Sequence, residues 1–191
     1  MRVWTAANQF TFLRIGLVPV FALAMLYGHP GWALLTFLVA GVTDALDGLI
    51  ARLTKQPSTL GAWLDPMADK LLLLTMFVML TLPGLGFANH VPLWLTVLVI
   101  SRDVAIVLTV AIVNLAVGRR TFKPSLLGKA ATAVFIVTGV IALYENYRAV
   151  NSEIVPVFIY LSLALAIASG IHYVYLVVAL IHADESSGGA R

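Results

Sequence analysis

The sequence predicts an all-α, polytopic membrane protein with six transmembrane helices and both termini in the cytoplasm. Hydrophobic residues make up 61% of the 191 residues and charged residues only 11%, which is far too apolar for an ordinary soluble domain. A spanning helix needs about 20 mostly apolar residues. The chain contains six such segments, at roughly 9–28, 32–51, 67–87, 91–117, 128–147 and 154–182.

The distribution of positive charge predicts the orientation of these segments. Lysines and arginines concentrate at the N-terminus, in the second and fourth connections and in the tail: Arg2, Arg52, Lys55, Lys70, Arg119, Arg120, Lys123, Lys129 and Arg191. The first and third connections carry no Lys or Arg. Cytoplasmic loops are enriched in these residues, so the termini and connections two and four are expected on the cytoplasmic side.

The first and last segments add two expectations. Arg14 is the single charged residue of the first segment, and its long side chain is expected to snorkel to the membrane surface. Residues 1–183 are expected to form one membrane domain. Residues 184–191 include Ser-Ser-Gly-Gly and are expected to be a polar, disordered tail.

The second connection and its flanking helices hold an unusual concentration of carboxylates. The chain has nine acidic residues, and four of them, Asp44, Asp47, Asp65 and Asp69, fall within 26 positions. An ionised carboxylate at the bilayer centre costs about 2.5–3.5 kcal/mol on insertion scales. The cost near the interface is smaller, but converging carboxylates also repel one another. Such a cluster therefore needs compensating positive charge.

Helical geometry predicts that these carboxylates point towards a common site. At about 100° per residue, one stripe of the second helix collects Asp44, Asp47, Gly48 and Ala51. Arg52 lies beside this stripe. In the next helix Asp65 and Asp69 are one turn apart on one face, and Gly61 lies one turn before Asp65. These eight residues are called the aspartate motif below.

Oxygen ligands of this kind suit Mg²⁺, Mn²⁺ or Ca²⁺ better than Zn²⁺. Two such cations about 3.5–4 Å apart would stabilise the attacking and leaving oxygens in phosphoryl chemistry, and Arg52 would add a two-pronged phosphate donor. Simpler explanations exist for single residues. Asp65 before Pro66 could be a helix N-cap, and Asp44 and Asp47 could pair with Arg52.

The aspartate motif, Asp44-x2-Asp47-Gly48-x2-Ala51-Arg52, then eight residues, then Gly61-x3-Asp65-x3-Asp69, resembles the signature of the CDP-alcohol phosphatidyltransferase family. All eight positions match with the expected spacing, and six spans fit the family's membrane fold. The resemblance implies transfer of a phosphatidyl group from CDP-diacylglycerol to an alcohol or phospholipid acceptor, with release of CMP. It also implies two divalent cations, Mg²⁺ or Mn²⁺, as cofactors.

The resemblance assigns roles to individual residues. The metal ligands would be Asp44, Asp47, Asp65 and Asp69. Asp69 would also be the catalytic general base. The CDP pocket would be lined by Asp47, Gly48, Ala51, Arg52 and Gly61. The resemblance also implies a homodimer. The charge distribution predicts an active site on the cytoplasmic side of a bacterial cytoplasmic membrane, with membrane lipids as partners and no nucleic acid.

The acceptor is less strongly indicated. The stretch "NQFTFLRIGLVPVF" resembles the branch that makes phosphatidylglycerophosphate and cardiolipin. "ISRDVAIVL" and "FKPSLLGKAATAV" look closer to CMP-forming cardiolipin synthases, whose acceptor is phosphatidylglycerol. Phosphatidylglycerophosphate synthases, which use glycerol-3-phosphate, usually carry Arg-Glu in place of Arg102-Asp103. Phosphatidylglycerol is therefore the favoured acceptor and glycerol-3-phosphate the alternative.

In either case the acceptor's phosphate is expected to meet Arg102, Lys123 or Lys129. Each has a simpler explanation. Arg102 could pair with Asp103, and the basic loop from Gly118 to Lys129 could reflect positive-inside topology and attraction to anionic lipid.

Two functions of other classes remain open on sequence grounds. Intramembrane carboxylates also build cation transporters, although Arg52 would repel a transported cation. A catalytically silent scaffold is a further alternative, which an intact motif disfavours. Release of CMP from CDP-diacylglycerol distinguishes the enzyme from both.

Overall fold

The computed structural model describes the backbone of residues 6–54, 61–116 and 125–188 and the side-chain environments of residues 11–44, 46, 67, 68, 70–109 and 125–175. Within these ranges the chain forms six α-helices and no β-strand. They are α1 (Ala6–Leu26), α2 (Pro30–Thr54), α3 (Gly61–Thr81), α4 (Leu93–Ala116), α5 (Leu126–Tyr147) and α6 (Ile154–Gly188). The predicted all-α class is confirmed, and each predicted apolar segment corresponds to one helix.

Two of these helices are clearly long and apolar enough to cross a membrane. Among the described residues these spans are Leu126–Tyr147 and Ile154–Tyr175, whereas the apolar stretches of α2 and α3, Pro30–Asp44 and Lys70–Thr81, are shorter. The count of six spans and the cytoplasmic termini remain predictions.

Large apolar side chains cover much of the outer surface of the helices. Leu23 and Leu38 are exposed on α1 and α2, as are Val107 on α4 and Val157 and Ile171 on α6. Monomeric soluble proteins rarely expose such surface over wide areas. Its presence on successive helices agrees with a membrane-associated protein.

The chain divides into two compact units. Unit 1 comprises Met1–Val91 and Gly139–Ser152, and unit 2 comprises Pro92–Thr138 and Glu153–Arg191. Helix α6 continues to Gly188, into the segment predicted to be a disordered tail, and residues 189–191 lie outside the described residues. The boundary at residue 183 stays a prediction.

Unit 1 is organised around α1, which packs against both α2 and α3. Its core contains buried aromatic and sulphur-containing side chains: Phe21, Met25, Phe37, Met76 and Phe77. The rings of Phe21 and Phe37 join α1 to α2, with centroids 6.2 Å apart and planes inclined at 59°, an arrangement that aromatic pairs favour. Helix α1 therefore holds the two motif-bearing helices in one unit.

Gly139 allows α5 to approach α3 closely within unit 1. A Cβ atom built at this position would overlap Sδ and Cε of Met76, which is fully buried. Any larger residue would have to displace Met76 or push α5 away. Small residues at helix contacts commonly serve this purpose in membrane proteins.

Connections in unit 1 are closed by local and long-range hydrogen bonds. Helix α1 ends in a Schellman motif, in which Gly28 has φ +72° and the amides of Gly28 and His29 donate to the carbonyls of Met25 and Ala24. Glycine is favoured there because it lacks the Cβ that disfavours positive φ. This geometry turns the chain into α2.

A buried asparagine pair joins the α3–α4 connection to the end of α5. The Asn89 amide N–H donates to Asn146 Oδ1 at 2.8 Å, and Asn146 Nδ2 donates to the Asn89 carbonyl at 2.9 Å. Asn89 Nδ2 also donates to the Val150 carbonyl, and Asn89 Oδ1 accepts from the Ser152 amide. These bonds satisfy polar groups that would be costly to bury alone.

Unit 2 is built from α4, the first part of α5 and α6, with α4 packed against α6. The hydroxyls of Thr138 on α5 and Ser162 on α6 lie 2.8 Å apart, and both side chains are fully buried. A hydrogen bond between helices satisfies polar groups that lipid cannot solvate. This pair therefore fixes α5 against α6.

Candidate active site

The aspartate motif lies entirely on helical backbone. Positions 44, 47, 48, 51 and 52 belong to α2, and positions 61, 65 and 69 belong to α3. Helix α3 begins at Gly61, six residues before the predicted apolar segment, so the second half of the motif is helical from its first residue. The side chains of Asp47, Arg52, Asp65 and Asp69 lie outside the described side chains, and their convergence stays a prediction.

Asp44 is the one motif aspartate whose side chain the described part of the structure includes. The side chain is 48% exposed, and its Oδ1 lies 2.9 Å from Nη2 of Arg14 on α1. The Arg14 side chain is 1% exposed. The first aspartate of the motif is therefore held in an ion pair with a buried cation from the neighbouring helix.

The expectation that Arg14 snorkels to the surface is wrong. Its guanidinium is buried inside unit 1, because packing of α1 on α2 brings a carboxylate within ion-pair distance. Charge pairing offsets part of the penalty for taking the guanidinium out of water. The signal available in the sequence was that Arg14 is the one charged residue in an apolar segment, which makes it a functional candidate by default.

Among the predicted metal ligands, the described side chain of Asp44 suits a hard divalent cation. Asp44 offers carboxylate oxygens on a half-exposed side chain, which is the ligand type that Mg²⁺ and Mn²⁺ prefer. No group of three His, Cys, Asp or Glu side chains converges among those described. Three of the four predicted ligands lie outside that set, so the complete ligand group stays a prediction.

Arg102, in unit 2, is surrounded by partners from its own unit. Its Nη1 lies 2.8 Å from Asp103 Oδ1, its Nη2 donates to the Gly128 carbonyl at 3.2 Å, and its Nε donates to Ser169 Oγ at 3.3 Å. The guanidinium carbon lies 5.9 Å from the centre of the Phe135 ring, within cation–π range. Arg102 therefore links α4, α5 and α6.

The other two predicted acceptor residues are Lys123 and Lys129. Lys129 is exposed and follows Gly128, whose carbonyl Arg102 binds. Lys123 lies outside the described residues. The pairing of Arg102 with Asp103 that the sequence allowed is present, and the acceptor role of all three residues stays a prediction.

A cavity of about 440 Å³ lies beside Arg102 within unit 2. Its lining comes from α4 and α6: Leu98, Ser101, Arg102, Ala105, Ile106, Thr109, Ala166, Ile167, Gly170, Tyr173 and Val174. Most of these side chains are apolar, with the guanidinium and a few hydroxyls among them. The cavity can accommodate an apolar group next to a positive charge.

Comparison with known proteins agrees with the motif. The family model for CDP-alcohol phosphatidyltransferases matches residues 4–181. A cardiolipin synthase (CMP-forming) from Streptomyces coelicolor is 39% identical over 140 residues, covering 69% of this chain and 61% of the relative. The human cardiolipin synthase (CMP-forming) is 36% identical over 150 residues, covering 70% of this chain and 48% of that protein.

A third relative carries a different name. A probable phosphatidylglycerophosphate synthase from Mycobacterium tuberculosis is 38% identical over 132 residues, covering 65% of this chain and 58% of the relative. The chain thus spans between about half and three fifths of the length of these curated relatives. Because the family model matches nearly the whole chain, including every position of the aspartate motif, the chain belongs to the CDP-alcohol phosphatidyltransferase family.

Proposed function

We propose that the protein transfers a phosphatidyl group from CDP-diacylglycerol to an alcohol acceptor and releases CMP. The observation that carries this proposal is the match of the family model to residues 4–181, together with an aspartate motif that is intact at all eight positions. An intact motif would give the chain the four carboxylate ligands that the family resemblance implies. It also disfavours the transporter and the silent scaffold.

The charged residues of the motif divide into ligands and a donor. The proposed ligands of two divalent cations, Mg²⁺ or Mn²⁺, are Asp44, Asp47, Asp65 and Asp69. Bound cations would supply neutralisation of the pyrophosphate charge and polarisation of the bond to CMP. Arg52 is proposed to donate two hydrogen bonds to a phosphate, and Asp47, Gly48, Ala51 and Gly61 to line the CDP pocket with it.

Proton transfer is assigned to Asp69. The carboxylate accepts the proton of the acceptor hydroxyl, whose oxygen forms a bond to the lipid-side phosphorus. The bond from that phosphorus to the CMP oxygen breaks, and CMP leaves with the electron pair. The chain contains no cysteine, so direct attack by the acceptor is the simplest scheme.

Phosphatidylglycerol is the proposed acceptor, which would make the protein a CMP-forming cardiolipin synthase. The names of the Streptomyces and human relatives support this choice. The mostly apolar cavity beside Arg102 supports it as well, because a lipid acceptor brings apolar chains and a phosphate together. Arg102, Lys123 and Lys129 are proposed to meet that phosphate, and Arg102 would then exchange one of its internal partners.

Glycerol-3-phosphate is the second candidate acceptor. The Mycobacterium tuberculosis relative, named a probable phosphatidylglycerophosphate synthase, is 38% identical, as similar as the cardiolipin synthases. This small acceptor would leave the apolar cavity without a role in acceptor binding. The lipid product formed with each acceptor distinguishes the two candidates.

The proposed location of the protein is a bacterial membrane. The protein would be a multi-pass component of the bacterial cytoplasmic membrane, with residues 1–183 as its membrane domain and its active site on the cytoplasmic side. The alternating distribution of Lys and Arg supports this orientation. A homodimer is proposed from the family resemblance alone.

A single assay tests both the reaction and the acceptor. Purified protein in mixed micelles receives labelled CDP-diacylglycerol and Mg²⁺, with phosphatidylglycerol, glycerol-3-phosphate, serine or inositol phosphate offered separately, and CMP and the lipid product are identified. We expect CMP and cardiolipin with phosphatidylglycerol and none with EDTA. Phosphatidylglycerophosphate as the product would favour the second candidate, and full activity in EDTA would exclude the two-metal mechanism.

A further inference from the structure

A buried arginine is not needed to hold α1 against α2. Phe21 and Phe37 already join these helices through their rings. A buried guanidinium brings a desolvation penalty that apolar side chains avoid, so a purely structural link would be made at lower cost by further apolar contacts. The position of its partner, Asp44, indicates a functional role for the ion pair.

The partner, Asp44, is the first residue of the aspartate motif. Its side chain is half exposed, while Arg14 is buried beneath it. Arg14 therefore contacts the carboxylate from inside the unit and leaves Asp44 accessible to solvent on its other side. A carboxylate carries two oxygens with about four lone-pair positions, so Asp44 can keep the ion pair with Arg14 through Oδ1 and still coordinate a cation.

We infer that Arg14 is a positioning residue for the metal site: its buried guanidinium fixes the Asp44 carboxylate in the orientation that coordinates a divalent cation. This inference rests on the proposed function, in which Asp44 is a metal ligand. Groups that hold metal ligands in place typically change metal affinity ten- to a hundredfold when they are removed. The inference adds a residue outside the aspartate motif to the site.

Two effects of Arg14 on a bound cation oppose each other. Fixing the ligand strengthens binding, whereas the positive charge of the guanidinium repels the cation. Because the guanidinium is buried, salt screens this repulsion only weakly, whereas Arg14→Lys keeps the charge and alters the geometry of the contact. Comparing Arg14→Lys with the wild type therefore separates the positioning effect from the charge effect.

The test measures Mn²⁺ binding to the full chain in detergent by electron paramagnetic resonance, without any substrate. We expect Arg14→Met to weaken Mn²⁺ binding about ten- to a hundredfold. Arg14→Lys keeps the charge but not the shape and reach of the guanidinium, so it should also bind Mn²⁺ more weakly than the wild type. The Lys variant also provides the measurement if the Met variant does not fold.

A matched control separates positioning from general destabilisation. Phe21→Leu alters a fully buried residue of the same helix without touching the ion pair. It should lower the melting temperature and leave the Mn²⁺ dissociation constant unchanged. Wild-type affinity in both Arg14 variants, or tighter binding in either, would overturn the inference.

The failure of the proposed function would look different. If the wild type bound no Mn²⁺, or if Asp44→Asn bound it as tightly as the wild type, the assignment of Asp44 as a ligand would fail. If the wild type binds and Asp44→Asn does not, the metal site stands, and the Arg14 variants then decide the inference alone.

Discussion

The two units each bury an arginine against an aspartate, and the two pairs differ in their surroundings. Arg14 is 1% exposed and contacts an aspartate on another helix that is 48% exposed. Arg102 is 9% exposed and contacts its own sequence neighbour, Asp103, which is 24% exposed. Arg102 also has partners on α5 and α6, at Gly128 and Ser169.

This difference suggests that Arg102 has a structural role and Arg14 a role at the aspartate motif. Arg102 shares its donors among three helices of unit 2, as a cross-link does. Arg14 directs its charge at a carboxylate of the aspartate motif. A buried ion pair alone is weak evidence for either stability or function. The more informative observation is where each aspartate lies: Asp44 belongs to the aspartate motif, and Asp103 does not.

The strongest test of the comparison exchanges each aspartate for asparagine. Asp44→Asn should reduce CMP release roughly 10²–10³-fold, the scale of losing one electrostatic stabiliser of a transition state, because the amide is a neutral and weaker metal ligand. Asp103→Asn keeps an oxygen that can accept from Arg102 and should lose less than about tenfold. CMP release is measured at equal amounts of membrane-inserted protein, and equal losses would remove the distinction.

Arg52→Lys asks whether charge alone suffices in the motif. Lysine keeps the positive charge but cannot offer the planar pair of donors. We expect kcat/KM for CDP-diacylglycerol to fall roughly ten- to a hundredfold, equivalent to about 1.4–2.7 kcal/mol. Arg148→Lys is a suitable control, because Arg148 is half exposed and pairs with Glu145 within one helical turn. An unaltered rate in Arg52→Lys would contradict a bidentate role.

Arg102→Met tests the cross-link and the acceptor role together. Loss of the charged donor should lower the free energy of unfolding by about 1.5–3 kcal/mol, measured by thermal unfolding in detergent. If Arg102 also meets the acceptor's phosphate, the acceptor KM should rise while the dissociation constant of CDP-diacylglycerol stays constant. A destabilised variant with normal acceptor kinetics would leave Lys123 and Lys129 as the acceptor contacts.

The smallest effect is expected from Ser169→Ala. This change removes one of the partners of Arg102, a hydrogen bond of 3.3 Å, and should lower the free energy of unfolding by about 0.5–1.5 kcal/mol. Mn²⁺ affinity should not change. Ser101→Ala, at an exposed residue next to Arg102 on α4, is the control for loss of a hydroxyl. An altered Mn²⁺ affinity in Ser169→Ala would contradict the separate roles of the two arginines.

Local patterns in the sequence predicted the helices well. Apolar runs of about the length of a span gave six segments, and each corresponds to a helix. The predicted start of α3 was late because Asp65 and Pro66 precede the apolar run, although the helix begins at Gly61. Backbone hydrogen bonding does not require apolar side chains, so hydropathy marks the membrane part of a helix and not its full length.

Contacts between distant residues could not be predicted in the same way. Arg14 and Asp44 are thirty positions apart on different helices, and their contact depends on how α1 rotates against α2. Asn89 falls in a predicted connection and Asn146 at the end of a predicted span, and no sequence pattern indicates that the two are buried together. The motif aspartates were predictable because their spacing follows the helical repeat and resembles a known signature.

The asparagine pair of unit 1 also has a consequence for the order in which the protein is made. Asn89 binds Asn146, which follows it by 57 positions. At a synthesis rate of 5–20 residues per second, the ribosome needs about 3–11 s to produce that partner. During this interval the α3–α4 connection must leave its polar groups to water, the lipid headgroups or the insertion machinery. Unit 1 can therefore complete its packing only after α5 has emerged, and a translational pause before that point would prolong the exposure.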